Sequence, residues 1–147
     1  MTRSGARKAA MILGASLLAS AAAGRVAAQG RGTGAGLYTI AQADAGERLY
    51  AIHCAMCHGS GLQGTVEVPP LTGRFVANWG GRPLGELFDY LSRAMPQHAP
   101  GALSAADNAK ILAYLLRVNG APAGEGELPS QASQLERIRF DAIQPAP

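Results

Sequence analysis

Cys54-Ala55-Met56-Cys57-His58 sets two thiols three positions apart and an imidazole directly after the second. This is Cys-x-x-Cys-His, the attachment signal for a covalently held haem. The chemistry explains the spacing. Two thiols on one helical turn match the separation of the two haem vinyl groups and add across them as thioethers. The adjacent imidazole is then carried under the iron. The competing readings are weaker. A thioredoxin-like redox pair needs a βαβ setting, and this stretch reads as helical. A zinc site needs four ligands, and the chain has no second Cys-x-x-Cys. A disulfide across so few residues would remove little loop entropy.

Upstream, Thr39 and Gln42 have the capping-box spacing Ser/Thr-x-x-Glu/Gln. Leu49, Ile52 and Ala45 then fall on one helical face with Tyr50 nearby, and the helix runs into Cys54. Gly46 inside it costs about 1 kcal/mol relative to Ala, a cost that close approach of another helix would explain. Downstream, residues 59–82 are rich in Gly and Pro without a sustained period and read as a loop. Pro69, Pro70 and Leu71 follow His58 by 11 to 13 residues. Proline has no N–H, so such a stretch leaves carbonyls free to accept from the His58 ring, and Pro69 is the candidate. The competing reading is an ordinary Pro-rich loop.

A second helix is predicted over 84–94, with Leu84, Leu87, Phe88 and Leu91 as its stripe and Pro83 at its start. Residues 95–103 read as loop. A third helix begins at Ser104 and Asp107, carries Ile111, Leu112, Leu115 and Leu116, and ends at Asn119-Gly120. Residues 121–130 have linker composition, and the tail to residue 147 carries Leu135, Ile138 and Phe140. That tail has two readings, packing back on the domain or docking on a partner.

A six-coordinate iron needs a second axial ligand. Outside the leader the methionines are Met56, held inside the attachment turn, and Met95, 37 residues after His58 in a Pro-Gly loop. Met95 is the expected ligand, since a thioether is the common second ligand of small electron-transfer haem proteins. His98 is its rival. His53 abuts Cys54 and reads as lying on the wrong side.

Residues 1–28 read as a secretory leader. Arg3, Arg7 and Lys8 precede an apolar run over 9–23, and Val26-Ala27-Ala28 supplies small residues before a cut after Ala28. The run falls short of the roughly 20 strongly apolar residues of a membrane span, so no stable span is expected after cleavage; an uncleaved anchor is the alternative. Without Arg3, Arg7, Lys8 and Arg25 the chain keeps 9 basic and 10 acidic residues. The formal charge of +3 is therefore a property of the leader, and nucleic acid is not an expected partner. Lys110 is the one lysine left, so no lysine ring steers an acidic partner. With aromatics at 5%, the core is short of bulky anchors, a shortage that a large apolar cofactor would fill.

Over about residues 38–120 the chain resembles bacterial class I, single-haem cytochromes c. The resemblance rests on Cys54–His58, Pro69-Pro70-Leu71-Thr72-Gly73, Met95-Pro96, Tyr114-Leu115-Leu116, and Gly46 with Tyr50 where that family crosses its terminal helices. It implies an all-α cytochrome c fold of three to four helices around one covalent haem c, with Cys54 and Cys57 as thioether sites and His58 and Met95 as axial ligands. Asn78-Trp79, Leu84-Gly85-Glu86-Leu87-Phe88 and Asn119-Gly120 with Glu127-Leu128-Pro129 are similar to cytochrome domains found beside quinoprotein (PQQ) dehydrogenases. The expected organisation is a leader over 1–28, a flexible lead-in over 29–37, the cytochrome domain over 38–120 and a linker and tail over 121–147. The expected role is electron transfer in the periplasm, not catalysis. Electrons would come from a dehydrogenase, the quinoprotein type preferred, and leave to a membrane oxidase or another cytochrome of the respiratory chain. The alternative is a small haem enzyme, a peroxidase or a thiosulfate-oxidising cytochrome, with a labile distal ligand.

Overall fold

The computed structural model describes residues 31–32 and 36–140. The expected leader and its cleavage point lie outside the described residues. Helix α1 (Ile40–His53) starts where the Thr39 hydroxyl accepts from the Gln42 N–H at 3.1 Å. The reciprocal half of the capping box does not form. The Gln42 side chain instead donates to the Leu128 carbonyl at 2.9 Å and accepts from the Leu128 N–H at 2.8 Å. The single-turn helix α2 (Ala55–His58) follows and carries the thiols and imidazole.

The stretch expected to be loop contains a short helix, α3 (Arg74–Trp79), whose buried side chain is Phe75. Six residues between glycines are too few to show a helical period in sequence. Strand β2 (Arg82–Pro83) leads into α4 (Leu84–Ala94), which buries Leu84, Leu87 and Phe88 as its stripe predicts. Helix α5 (Ala105–Val118) begins where the Ser104 hydroxyl accepts from the Asp107 N–H at 3.1 Å. Beyond it lie α6 (Ala132–Leu135) and strand β3 (Ile138–Phe140). Strand β1 (Arg31–Gly32), within the expected lead-in, pairs parallel to β3, and β2 pairs antiparallel to β3, in the order β1-β3-β2. The molecule is helical, with a sheet of two- and three-residue strands as a clasp.

The main packing is α1 against α5. Gly46 makes it possible: a Cβ there would overlap the Lys110 carbonyl and lie 3.0 Å from the Tyr114 Cβ. The rings of Tyr50 and Tyr114 meet across the crossing at 5.3 Å between centroids. Arg117 bridges from α5 to Asp44 at 2.5 Å and Glu47 at 2.6 Å, pairs exposed enough to contribute at most about 1 kcal/mol each. In an uncrowded helix, Gly46→Ala would add about 1 kcal/mol of stability through propensity. Here the expected outcome has the opposite sign, a loss of about 1–3 kcal/mol from overpacking, read as a lower urea midpoint.

Residues 121–140 are part of the same core, and the domain does not stop at 120. Ala121, Leu128, Leu135 and Phe140 are all buried. The Tyr38 hydroxyl donates to the Ala121 carbonyl at 2.5 Å, and the Gly124 N–H donates to the Tyr38 carbonyl at 2.7 Å. Pro and Gly here mark turns of a packed segment, not a solvated linker. Among the described residues no helix is long and apolar enough to cross a membrane.

Candidate functional site

A cavity of about 580 Å³ opens among α1 to α5 and the loops after α2 and α4. Protein interiors are close-packed, so a void of this size is a ligand site rather than a packing defect. Its wall is largely apolar. The chain has three Phe, four Tyr and one Trp. Half of them, Tyr50, Phe75, Trp79 and Tyr90, line this cavity. The scarce aromatics are spent on its wall. Trp79 meets Tyr90 in a tilted pair, 5.9 Å between centroids, and the Arg82 guanidinium lies over its ring, 4.3 Å from the centre. Phe75 is backed edge-on by Phe140 at 5.9 Å. No periodicity marks this aromatic wall, and of its four members the sequence points only to Tyr50 and Trp79.

Cys54, Cys57 and His58 all line the cavity. The two cysteines are not bonded to each other. Burial, with a smaller contribution from Cys57, pushes the Cys54 thiol up to about 11. The Cys54 thiol is therefore neutral at physiological pH and a poor nucleophile. His58 is buried, and its Nδ1 lies 2.9 Å from the Pro69 carbonyl oxygen. A carbonyl can only accept, so Nδ1 carries the proton and donates, which leaves the Nε2 lone pair free for a metal.

A ring of backbone hydrogen bonds holds this arrangement. The Gly64 N–H donates to the His58 carbonyl at 2.8 Å, Thr65 N–H to Val68 O at 2.8 Å, and Leu71 N–H to Leu62 O at 2.9 Å. The Tyr50 hydroxyl donates to the Gly59 carbonyl at 2.6 Å, tying α1 to the turn after His58. Asn119, expected as a helix terminator, donates from its amide to the Leu71 carbonyl at 2.9 Å. Leu62 takes φ +59 while its side chain is buried. A branched residue in the left-handed region is held there by its surroundings, and nothing in the local sequence announces it.

On α4's C-terminal side, Met95 and His98 both line the cavity. Met95 is half-buried and His98 exposed. His53 also borders the cavity, whereas Met56 stands at its rim, 79% exposed. Among the described residues no three His, Cys, Asp or Glu side chains converge on a point that would hold a bare ion. A metal here has to bring most of its own ligands. Porphyrin iron does so, and two thiols, one free imidazole nitrogen and an apolar wall fit that group.

The family described as cytochrome C oxidase, cbb3-type, subunit III, matches residues 41–115, which span α1 to most of α5. A thiosulfate dehydrogenase from Stutzerimonas stutzeri (strain A1501) is 34% identical over 77 residues, covering 48% of this chain and 25% of that protein. The crystal structure of the sulfane dehydrogenase SoxCD from Paracoccus pantotrophus is similar with a TM-score of 0.48 and 23% identity, covering 73% of this chain and 62% of that one. The chain thus spans about a quarter of the curated relative's length.

Proposed function

We propose a function that starts from membership: the chain belongs to the family described as cytochrome C oxidase, cbb3-type, subunit III, and carries covalently bound haem c. It serves as a one-electron carrier in the periplasm, taking electrons from a dehydrogenase and passing them to a membrane oxidase or another cytochrome of the respiratory chain. The observation that carries this reading is one apolar cavity that collects Cys54, Cys57, His58 and Met95, with the His58 Nδ1 proton held by Pro69.

When bound, the haem supplies reversible one-electron chemistry at its iron. The residues do the rest. Cys54 and Cys57 tether the group, so it is not lost by dilution after export. His58 offers Nε2 with its tautomer and ring plane fixed by the Pro69 carbonyl. Met95 offers a thioether, a weak donor that favours the reduced metal. Phe75, Trp79 and Leu115 line the cavity and would keep water from a group bound there. With His58 and Met95 both holding the metal, rearrangement would stay small when its charge changes, as a carrier requires.

A second reading has its own support. His98 borders the same cavity, and one relative is named a thiosulfate dehydrogenase. A labile distal ligand would make the chain a small haem enzyme of that kind. Carbon monoxide separates the two. The ferrous carrier should bind it slowly at neutral pH, and its ferric form should show the weak red band of sulfur–iron ligation. Met95→Ala should abolish that band and bind carbon monoxide rapidly. A wild-type protein that lacks the band and binds at once supports the enzyme. For the electron donor, the sequence resemblance favours a quinoprotein dehydrogenase and the relative's name a sulfur-compound dehydrogenase. Rates of reduction by each would rank them.

A further inference from the structure

The Pro69 carbonyl that meets the His58 ring lies in a peptide with no room for a side chain at Gly64. Gly64 lies in the left-handed region, φ +67, and its N–H donates to the His58 carbonyl at 2.8 Å. A Cβ at Gly64 would overlap the Val68 carbonyl and stand 2.7 Å from both the Pro69 carbonyl carbon and the Pro70 nitrogen. One residue thus bonds the His58 backbone and has to stay without a side chain for the Pro69 peptide to keep its place. Its amide grips the His58 backbone, and any side chain on its α-carbon would collide with the Pro69–Pro70 peptide. The neighbourhood offers little slack. Thr65 and Val68 close a tight turn, and the hydrogen bond from Leu71 to Leu62 closes the wider loop. Both residues of the Pro69–Pro70 pair have φ locked by their rings.

We propose that Gly64 is a positioning residue that sets how firmly the His58 imidazole is held to the Pro69 carbonyl, and through that bond the electron affinity of the iron. This rests on the reading of His58 as an iron ligand. A carbonyl that accepts from Nδ1–H makes the ring a stronger donor at Nε2 and favours the oxidised metal. A side chain at position 64 must push the Pro69 peptide by several tenths of an ångström. The 2.9 Å bond sits at the optimum for N–H···O, so displacement weakens it.

The test is a potentiometric titration of the full-length holoprotein. Gly64→Ala should raise the reduction potential by the equivalent of about a tenfold change in the one-electron equilibrium, ~59 mV. Gly81→Ala is the matched control, because Gly81 has φ +70 and nothing within 4 Å of its would-be Cβ. It carries the same backbone penalty and should leave the potential where it was. A potential unchanged in Gly64→Ala, or moved equally by both substitutions, overturns the proposal. If Gly64→Ala yields no folded holoprotein, hydrogen exchange in the wild type decides. The Gly64 amide and the His58 Nδ1 proton should exchange at one common rate. A freely exchanging Nδ1 proton beside a protected amide sinks the idea. Iron-shifted ring resonances of His58 in the wild type report separately on ligation, so their absence removes the ligand reading whatever Gly64 does.

Discussion

Chain exported with Cys54→Ala and Cys57→Ala together should contain no covalent haem and little folded domain. Without thioethers, the haem is held only by ligand bonds and contact, and dilution outside the cytoplasm removes it. The remaining cavity of about 580 Å³ is then far too large for the structure to keep. At about 24 cal/mol per Å³, leaving it unfilled would cost up to ~14 kcal/mol, an upper bound because walls collapse. That upper bound is comparable with the whole stability of a typical domain, about 5–15 kcal/mol. The aromatic wall would lose its main partner at the same time. A pyridine haemochrome assay should show no haem, and far-UV circular dichroism with proteolysis should show loss of the helical domain. Recovery of a protease-resistant, helical apo-protein would count against a core built on the cofactor.

Phe140→Ala should lower stability by about 3–5 kcal/mol, although residue 140 lies beyond the part of the chain that the family match covers. The Phe140 side chain is 1% exposed and packs edge-on against Phe75, which lines the cavity. Its backbone carbonyl accepts from the Gly81 N–H at 2.5 Å, and β3 joins β1 to β2. Leu135 beside it is 0% exposed. Residues 132–140 therefore brace α4 and the back of the cavity wall. Guanidinium melts of the holoprotein monitored by circular dichroism measure the loss. A tail that only docked on a partner would give the wild-type midpoint and altered reduction rates. An unchanged midpoint would return the tail to that role.

The local devices were legible in the chain itself. Cys54, Cys57 and His58 are written within five residues, because attachment chemistry demands that spacing. The stripes of α4 and α5 follow from a 3.6-residue period, and Thr39 and Ser104 cap helices through side chains three residues from the amides they meet. Gly46 announced a close crossing because nothing else justifies a glycine inside a helix. Tertiary structure alone decided the rest, because those features join groups far apart along the chain. Gln42 forsakes its local cap for Leu128, 86 residues away. Tyr38 reaches Ala121 across 83 residues, and Asn119 reaches Leu71 across 48. Leu62 holds a left-handed backbone only because its neighbours enclose it. Local pattern records what a residue does to its own helical turn; where the chain returns on itself, buried backbone groups must find partners wherever packing places them, and no period in the sequence encodes that choice.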